Sequence, residues 1–426
     1  MYFWILAVLA IFTLRAADEQ ELALALKAQT DFDHVELAAV PVLRDTAACV
    51  QSQAALLPLA AREEVPLVHY RKGYCSLVGA TLTHNPGEFT AAAAEFDKAI
   101  ETWPDRAPAA GKDKPAEPVS SGLRVLAWIA RLEAGAGKAD LDRARNEMAA
   151  AIGKRACPVS LMPAAFCQAA LDRGREWVGW IDLQQDDVYA AARDLSGASS
   201  SGWALWAAGK QAFADRKYGE AAARYRSGIE AWTREQRETA PALADRLKPR
   251  PDLSVAMTDL GGAQLLAGDA GGAIVTLDSA VKTDPSDARA FYLRARAKET
   301  LGQTDAALAD LNLASRAAFA GAKDLASGEA HLYRGIMYYR RKDYARAEDE
   351  FASALNFDIP PALKGDAEAW RHLSAVALGS CGAARQELEQ ALGTVSPFFP
   401  KQEARAAADA CITSTAAAGG PVNAAK

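Results

Sequence analysis

Histidine is scarce in this chain of 426 residues: His34, His69, His84, His331 and His372 are the full set. None stands four residues from another, which excludes the HExxH pairing of a zinc hydrolase. The GxSxG nucleophile elbow is absent, and no glycine-rich loop carries the lysine of a phosphate-binding loop. No two cysteines have CxxC spacing, so zinc-ribbon and thioredoxin-like readings find no support. A basic excess is lacking as well. Lys and Arg number 48 against 54 Asp and Glu, a net charge of −6 with a pI near 5.6, which argues against a dedicated nucleic-acid binder. Strand signals are missing too, because no sustained stretch alternates apolar and polar residues with period two.

These absences leave no candidate catalytic residue, metal site or cofactor site, and the expectation is that the chain is not an enzyme. His69 in HYRKGYC and His331 in EAHLYRG read as helix-face residues, and Glu348, Asp349 and Glu350 as the solvated start of a helix. The run DLGGAQLLAGDAGGA is rich in glycine, but no strand precedes it. Gly261 reads there as a packing position and Gly268 as a turn.

Long apolar runs are also few. Tyr2 to Leu14, YFWILAVLAIFTL, is short for a bilayer span but suits the core of a secretory signal. Residues 1–16 are therefore expected to be a signal peptide, and no Cys precedes Cys49 to carry a lipid anchor. The mature product is then exported, periplasmic or secreted, without a stable membrane span. The six cysteines, Cys49, Cys75, Cys157, Cys167, Cys381 and Cys411, fall into three neighbouring pairs that an oxidising compartment would allow to close. The competing reading is six buried thiols packed as small hydrophobes.

What the chain has in abundance is alanine-rich amphipathic segments separated by short Gly, Asp or Pro breaks. Gly335, Ala347, Phe351 and Ala354 set a spacing that recurs as Gly209, Ala221, Tyr225 and Gly228. It returns as Gly261, Ala273, Leu277 and Ala280, as Ala295, Ala307, Leu311 and Ala314, and upstream as Ala80, Ala92, Phe96 and Ala99. From Gly261 to Ala295 is 34 residues without an insertion. Small residues let paired helices approach, and the large apolar residue fills the space beside them. Tyr218, Tyr344 and Phe89, three residues before the small residue of each second helix, are placed to plug the turn.

The pattern resembles the tetratricopeptide repeat, closely over Ser201 to Pro360 and in part over Gly73 to Pro104. Gly122 to Gly153 and Asp172 to Ala198 look like degenerate relatives, and Gly365 to Leu392 followed by Lys401 to Thr415 like a last hairpin and a capping helix. The resemblance implies an all-α, superhelical solenoid of stacked helix-turn-helix hairpins. The expected organisation is a degenerate N-terminal helical region at 17–200, well-matched repeats at 201–360 with an inserted loop at 233–252, a terminal hairpin and cap at 361–415, and an unstructured tail at 416–426. A second loop is expected from Pro104 to Pro118.

In proteins of this family the first helices of successive hairpins line a concave groove. Carried onto this chain, the groove positions include Trp203, Trp206, Lys210 and Phe213, then Arg289, Tyr292 and Arg296, then Leu332, Ile336, Tyr339 and Arg340. Arg supplies forked hydrogen bonds and the aromatics supply contact area, which suits an acidic or carboxylate-bearing protein segment. The chaperone-binding members use asparagines for a two-carboxylate clamp, and no Asn occupies a groove position here. The implied function is a non-catalytic protein-binding scaffold of the periplasm or cell envelope. The alternative is a glycan-binding accessory protein that stacks sugars on Trp203, Trp206 and Tyr292, with an enzyme on the same scaffold as a third reading.

Overall fold

Several breaks between paired helices do two jobs in the backbone, reversing the chain and capping the helix that follows. In a computed structural model that describes residues 49, 66–102, 120–154, 157, 162, 164–198, 201–237, 246–317, 325–397 and 399–418, the regular elements are all helices. The expected signal peptide, the Pro104 to Pro118 loop and the residues after 418 lie outside the described residues.

The chain divides into two units, Met1–Ala214 with Glu230–Pro251, and Asp215–Ile229 with Asp252–Lys426. The first contains α1 (Pro66–Thr83), α2 (Pro86–Thr102), α3 (Ser121–Glu133), α4 (Lys138–Lys154), α5 (Ala164–Gln184), α6 (Val188–Asp194) and α7 (Gly202–Ala214). Helix α8 (Tyr218–Gln236) contributes its end to this unit and its beginning to the other. The second unit continues with α9 (Leu253–Leu266), α10 (Ala270–Thr283), α11 (Ala288–Thr300), α12 (Thr304–Ala317), α13 (Leu325–Arg340), α14 (Tyr344–Ala354), α15 (Pro361–Ala377), α16 (Cys381–Ala391) and α17 (Lys401–Ala418).

The turn after every odd-numbered helix from α1 to α15 holds one residue in the left-handed region: His84, Gly135, Asp186, Arg216, Gly268, Gly302, Lys342 and Gly379. At Gly268, φ is +89°, and the amide of Asp269 reaches back to the Gln264 carbonyl at 2.9 Å, closing the preceding helix. The side chain of Asp269 then accepts from the Gly272 amide and opens α10. Asp187, Asp252, Asp287 and Asp343 cap α6, α9, α11 and α14 in the same way.

The small-and-large spacing read from the sequence marks the core. Ala92, Phe96 and Ala99, Ala273, Leu277 and Ala280, Ala307, Leu311 and Ala314, and Ala347, Phe351 and Ala354 are all fully buried. A Cβ added at Gly261 would stand 2.5 Å from Leu277, which is why the position takes glycine. The all-α stack of helix-turn-helix hairpins expected from the resemblance is therefore present. In the second unit α9, α11, α13 and α15 touch in succession as a row of first helices.

The tail expected to be unstructured from residue 416 is helical through Ala418, where α17 ends, and two further stretches differ from the sequence reading. Helix α5 begins at Ala164, well before Asp172, because Phe166, Cys167, Ala170 and Leu171 extend its buried face. The segment Thr233 to Asp252, expected as a loop, is helical through Gln236, and its later residues are built into the first unit. Leu247 is fully buried there, and its carbonyl accepts from the Trp177 indole at 2.7 Å. The Pro249 carbonyl accepts from the Trp203 indole at 2.8 Å. Buried indole N–H groups need acceptors, and this segment supplies two.

The cysteines stand as three disulfides, Cys49–Cys75, Cys157–Cys167 and Cys381–Cys411, with Cα separations of 5.5, 5.9 and 5.6 Å. The last ties α16 to α17. No described helix is long and apolar enough to cross a membrane.

Candidate binding face

In the second unit the row of first helices brings three of its expected groove residues, Tyr292, Arg296 and Arg340, together around Tyr333 and Glu299. Tyr292 on α11 meets Tyr333 on α13 edge to face, with ring centroids 6.0 Å apart. The Arg296 guanidinium lies 5.8 Å from the centre of the Tyr292 ring and 5.6 Å from that of Tyr333. Cation–π attraction and packing therefore hold this arginine in place. The Tyr333 hydroxyl donates to Glu299, whose other carboxylate oxygen accepts from Arg340 at 2.8 Å. Burial, reinforced by the Glu299 carboxylate, pushes the Tyr333 phenol up, so it remains a donor. Burial pushes the Tyr292 phenol up too. Among the described residues no carboxylate forms an ion pair with Arg296, whereas Arg289 and Arg340 are both engaged.

Arg289 serves the stack. It donates at 2.9 Å to Asp259 of α9, a carboxylate only 4% exposed, and so joins two first helices. Thr258 of α9 likewise donates to Asp287 at 2.7 Å, while the other oxygen of Asp287 caps α11. Leu332 is buried against Ala347, Phe351 and Ala354 and does not face the row. Its neighbour Tyr333 takes that place. Ile336 is half-buried on the same apolar cluster. Tyr339 packs edge-on against Tyr344 and Trp370, with centroids 5.2 and 5.0 Å away, and so plugs the end of α13.

The remaining expected positions lie in the first unit. Trp203 and Trp206 are 3% and 8% exposed and form a triangle of edge-to-face rings with Trp232. Their faces are spent on packing, which removes the two tryptophan platforms that the glycan reading needs. Lys210 sits 5.0 Å over the Trp206 ring, and Phe213 is half-buried on the same helix.

Tyr333 was missed in the sequence reading because the transferred positions included Leu332. The signal was available on α13: Arg340 lies seven residues on from Tyr333, two turns along one helix face. The described residues hold no group of three or more His, Cys, Asp or Glu placed for a metal ion.

The fold and face define an all-helical hairpin-repeat protein of tetratricopeptide-like architecture. No family model matches the sequence, and no curated protein matches it. Among solved structures it is similar to a tetratricopeptide repeat protein from Parabacteroides merdae ATCC 43184, at 15% identity over 68% of this chain and 99% of that one, with a TM-score of 0.42. It is also similar to yeast Tom70, at 11% identity over 95% and 98% of the two chains and a TM-score of 0.42. A thermophilic TPR protein from Thermus thermophilus shares 15% identity over 50% of this chain and 99% of its own, with a TM-score of 0.34. The architecture assigned to this chain rests on its own hairpins and not on these likenesses.

Proposed function

We propose that the chain is a non-catalytic scaffold that captures an acidic segment of another protein on the α9, α11 and α13 face, with Arg296 as the anchor. The observation that carries this reading is Arg296 itself. Two tyrosine rings hold its guanidinium, and no carboxylate of the described residues neutralises it. A guanidinium oriented in advance loses little freedom when it takes a carboxylate in a forked pair. Arg289 and Arg340 contribute charge nearby, but each already holds an acid of this chain.

Selection of peptides from a displayed random library on the intact protein tests the reading. Asp- and Glu-bearing segments should be enriched, and Arg296→Gln should weaken the best of them by roughly 10-fold with the melting temperature unchanged. Arg296→Lys, which keeps the charge without the fork, should fall between. Enrichment without acidic residues, or equal affinity for Arg296→Gln, would sink the assignment.

Export to the periplasm or another oxidising compartment is part of the proposal. The three close cysteine pairs support it, since such bonds persist where thiols are not kept reduced. Peptide mapping of the protein recovered from its native compartment should return Cys49–Cys75, Cys157–Cys167 and Cys381–Cys411. Recovery of six free thiols would overturn it.

A further inference from the structure

The 246–251 run, built into the first unit, walls a cavity of about 380 Å³ together with α1, α7 and the end of α8. Its apolar walls are Trp203 and Trp232, and its charged lining is Arg246, Lys248, Arg250 and Glu235. This volume lies in the range of small-molecule pockets.

Among the described residues the charges do not balance. Lys248 is matched by Glu235 at 3.3 Å. Arg250 contacts the Nδ1 of His84 at 2.6 Å, an arrangement that needs this nitrogen as the acceptor of a neutral imidazole, so no negative charge is supplied. Glu133 feels Arg250 electrostatically, but burial pushes its carboxyl up toward the neutral form. Two guanidinium groups are thus left in excess, among the described residues, around one recess.

Hydrogen-bond donors are left over as well. The Nε of Arg246 and the indole Nε1 of Trp232 are buried without an acceptor among the described residues. Buried donors of this kind are uncommon, and one on a charged group is the costlier kind to leave unmade. The walls are meanwhile held fast. The Trp203 indole is tied to the Pro249 carbonyl, the Trp203 and Trp232 rings meet at 5.1 Å, and Trp232 presses on α7 at Gly202, where a Cβ would collide with its ring.

We propose that this cavity binds a small organic carboxylate with a flat apolar body. The carboxylate takes the Arg246 and Arg250 guanidiniums, and the apolar body sits against Pro249, Pro251 and the small parts of Trp203 and Trp232 that line the recess. The site shares no residue with the face around Arg296 and does not depend on that assignment.

Titration of the intact protein with phenylacetate, phenylacetamide and sulfate, followed by calorimetry and tryptophan emission, tests it. Phenylacetate should bind and change the emission, and the neutral amide and sulfate should bind at least ~10-fold more weakly, since each lacks one half of the match. Arg250→Gln should weaken phenylacetate by roughly 10-fold at an unchanged melting temperature, while Arg296→Gln leaves it intact. Absence of phenylacetate binding at ~10 mM would overturn the proposal, because a preformed site for this chemistry should reach at least millimolar affinity. Equal binding of the amide or of sulfate, or an unaffected Arg250→Gln variant that folds normally, would overturn it too.

Discussion

The ring of Phe351 lies against the backbone of α13 at Gly335, so close that a Cβ built on Gly335 would stand 2.5 Å from its edge. The pair shows how a repeat hairpin closes. One helix gives up a side chain so that the other can bury a large one, and Phe351 is fully buried as a result.

Gly335→Ala should therefore destabilise the protein by overpacking, by about 1–3 kcal/mol. Phe351→Ala should cost roughly 3–5 kcal/mol through lost burial and a residual cavity. The two changes together should cost less than their sum, because removing the ring makes room for the new methyl group. Denaturant unfolding of the two single variants and the double variant measures the coupling. Simple additivity would show that the ring does not occupy the space over Gly335.

Packing of this kind was legible in the sequence because it is encoded in residue size at fixed spacing, and in the five hairpins that carry the spacing the buried positions fall where it puts them. The candidate face was legible only in part. Arg289 reads as a free cation until Asp259, 30 residues earlier in the chain, is seen beside it. Leu332 and Tyr333 are adjacent, and one residue of register decides which of them faces the row. The 246–251 run was invisible as a structural element because its contributions at Leu247 and Pro249 are backbone carbonyls, which any residue type could offer. Trp203 carried an aromatic signal in sequence, but nothing local showed that Trp206 and Trp232 would cover it.

Lys342 occupies a turn position that Gly268, Gly302 and Gly379 fill elsewhere, and its φ is +63°. A side chain in this region crowds the following carbonyl, at a cost of about 1–2 kcal/mol that glycine avoids. Glycine also gives the unfolded chain more freedom, which takes back part of the gain. Lys342→Gly should accordingly raise stability by roughly 0.5–1 kcal/mol. Gly302→Ala, at φ +74°, should lower it by a similar amount or more. Paired denaturant midpoints check both signs, and a stabilising Gly302→Ala would contradict the turn geometry.

Glu350 on α14 couples stability to pH. Burial opposes its charge, but His331 at 2.8 Å and Arg334 at 2.7 Å prevail and hold the carboxyl below its ordinary range. A carboxylate whose native pKa is depressed stabilises the fold above its unfolded value, about 4.3, and that contribution fades as pH falls through the lower native value. Glu350→Gln should thus cost about 2 kcal/mol at pH 7, where two charge-assisted bonds are lost and Arg334 stays only 8% exposed. The gap between wild type and variant should narrow as acid protonates Glu350, which turns the wild-type side chain into a neutral counterpart of glutamine. Urea unfolding at pH 7, 5 and 3 follows this directly. A gap that stays constant across the series would mean that the charge of Glu350 is not what holds α13 and α14 together there.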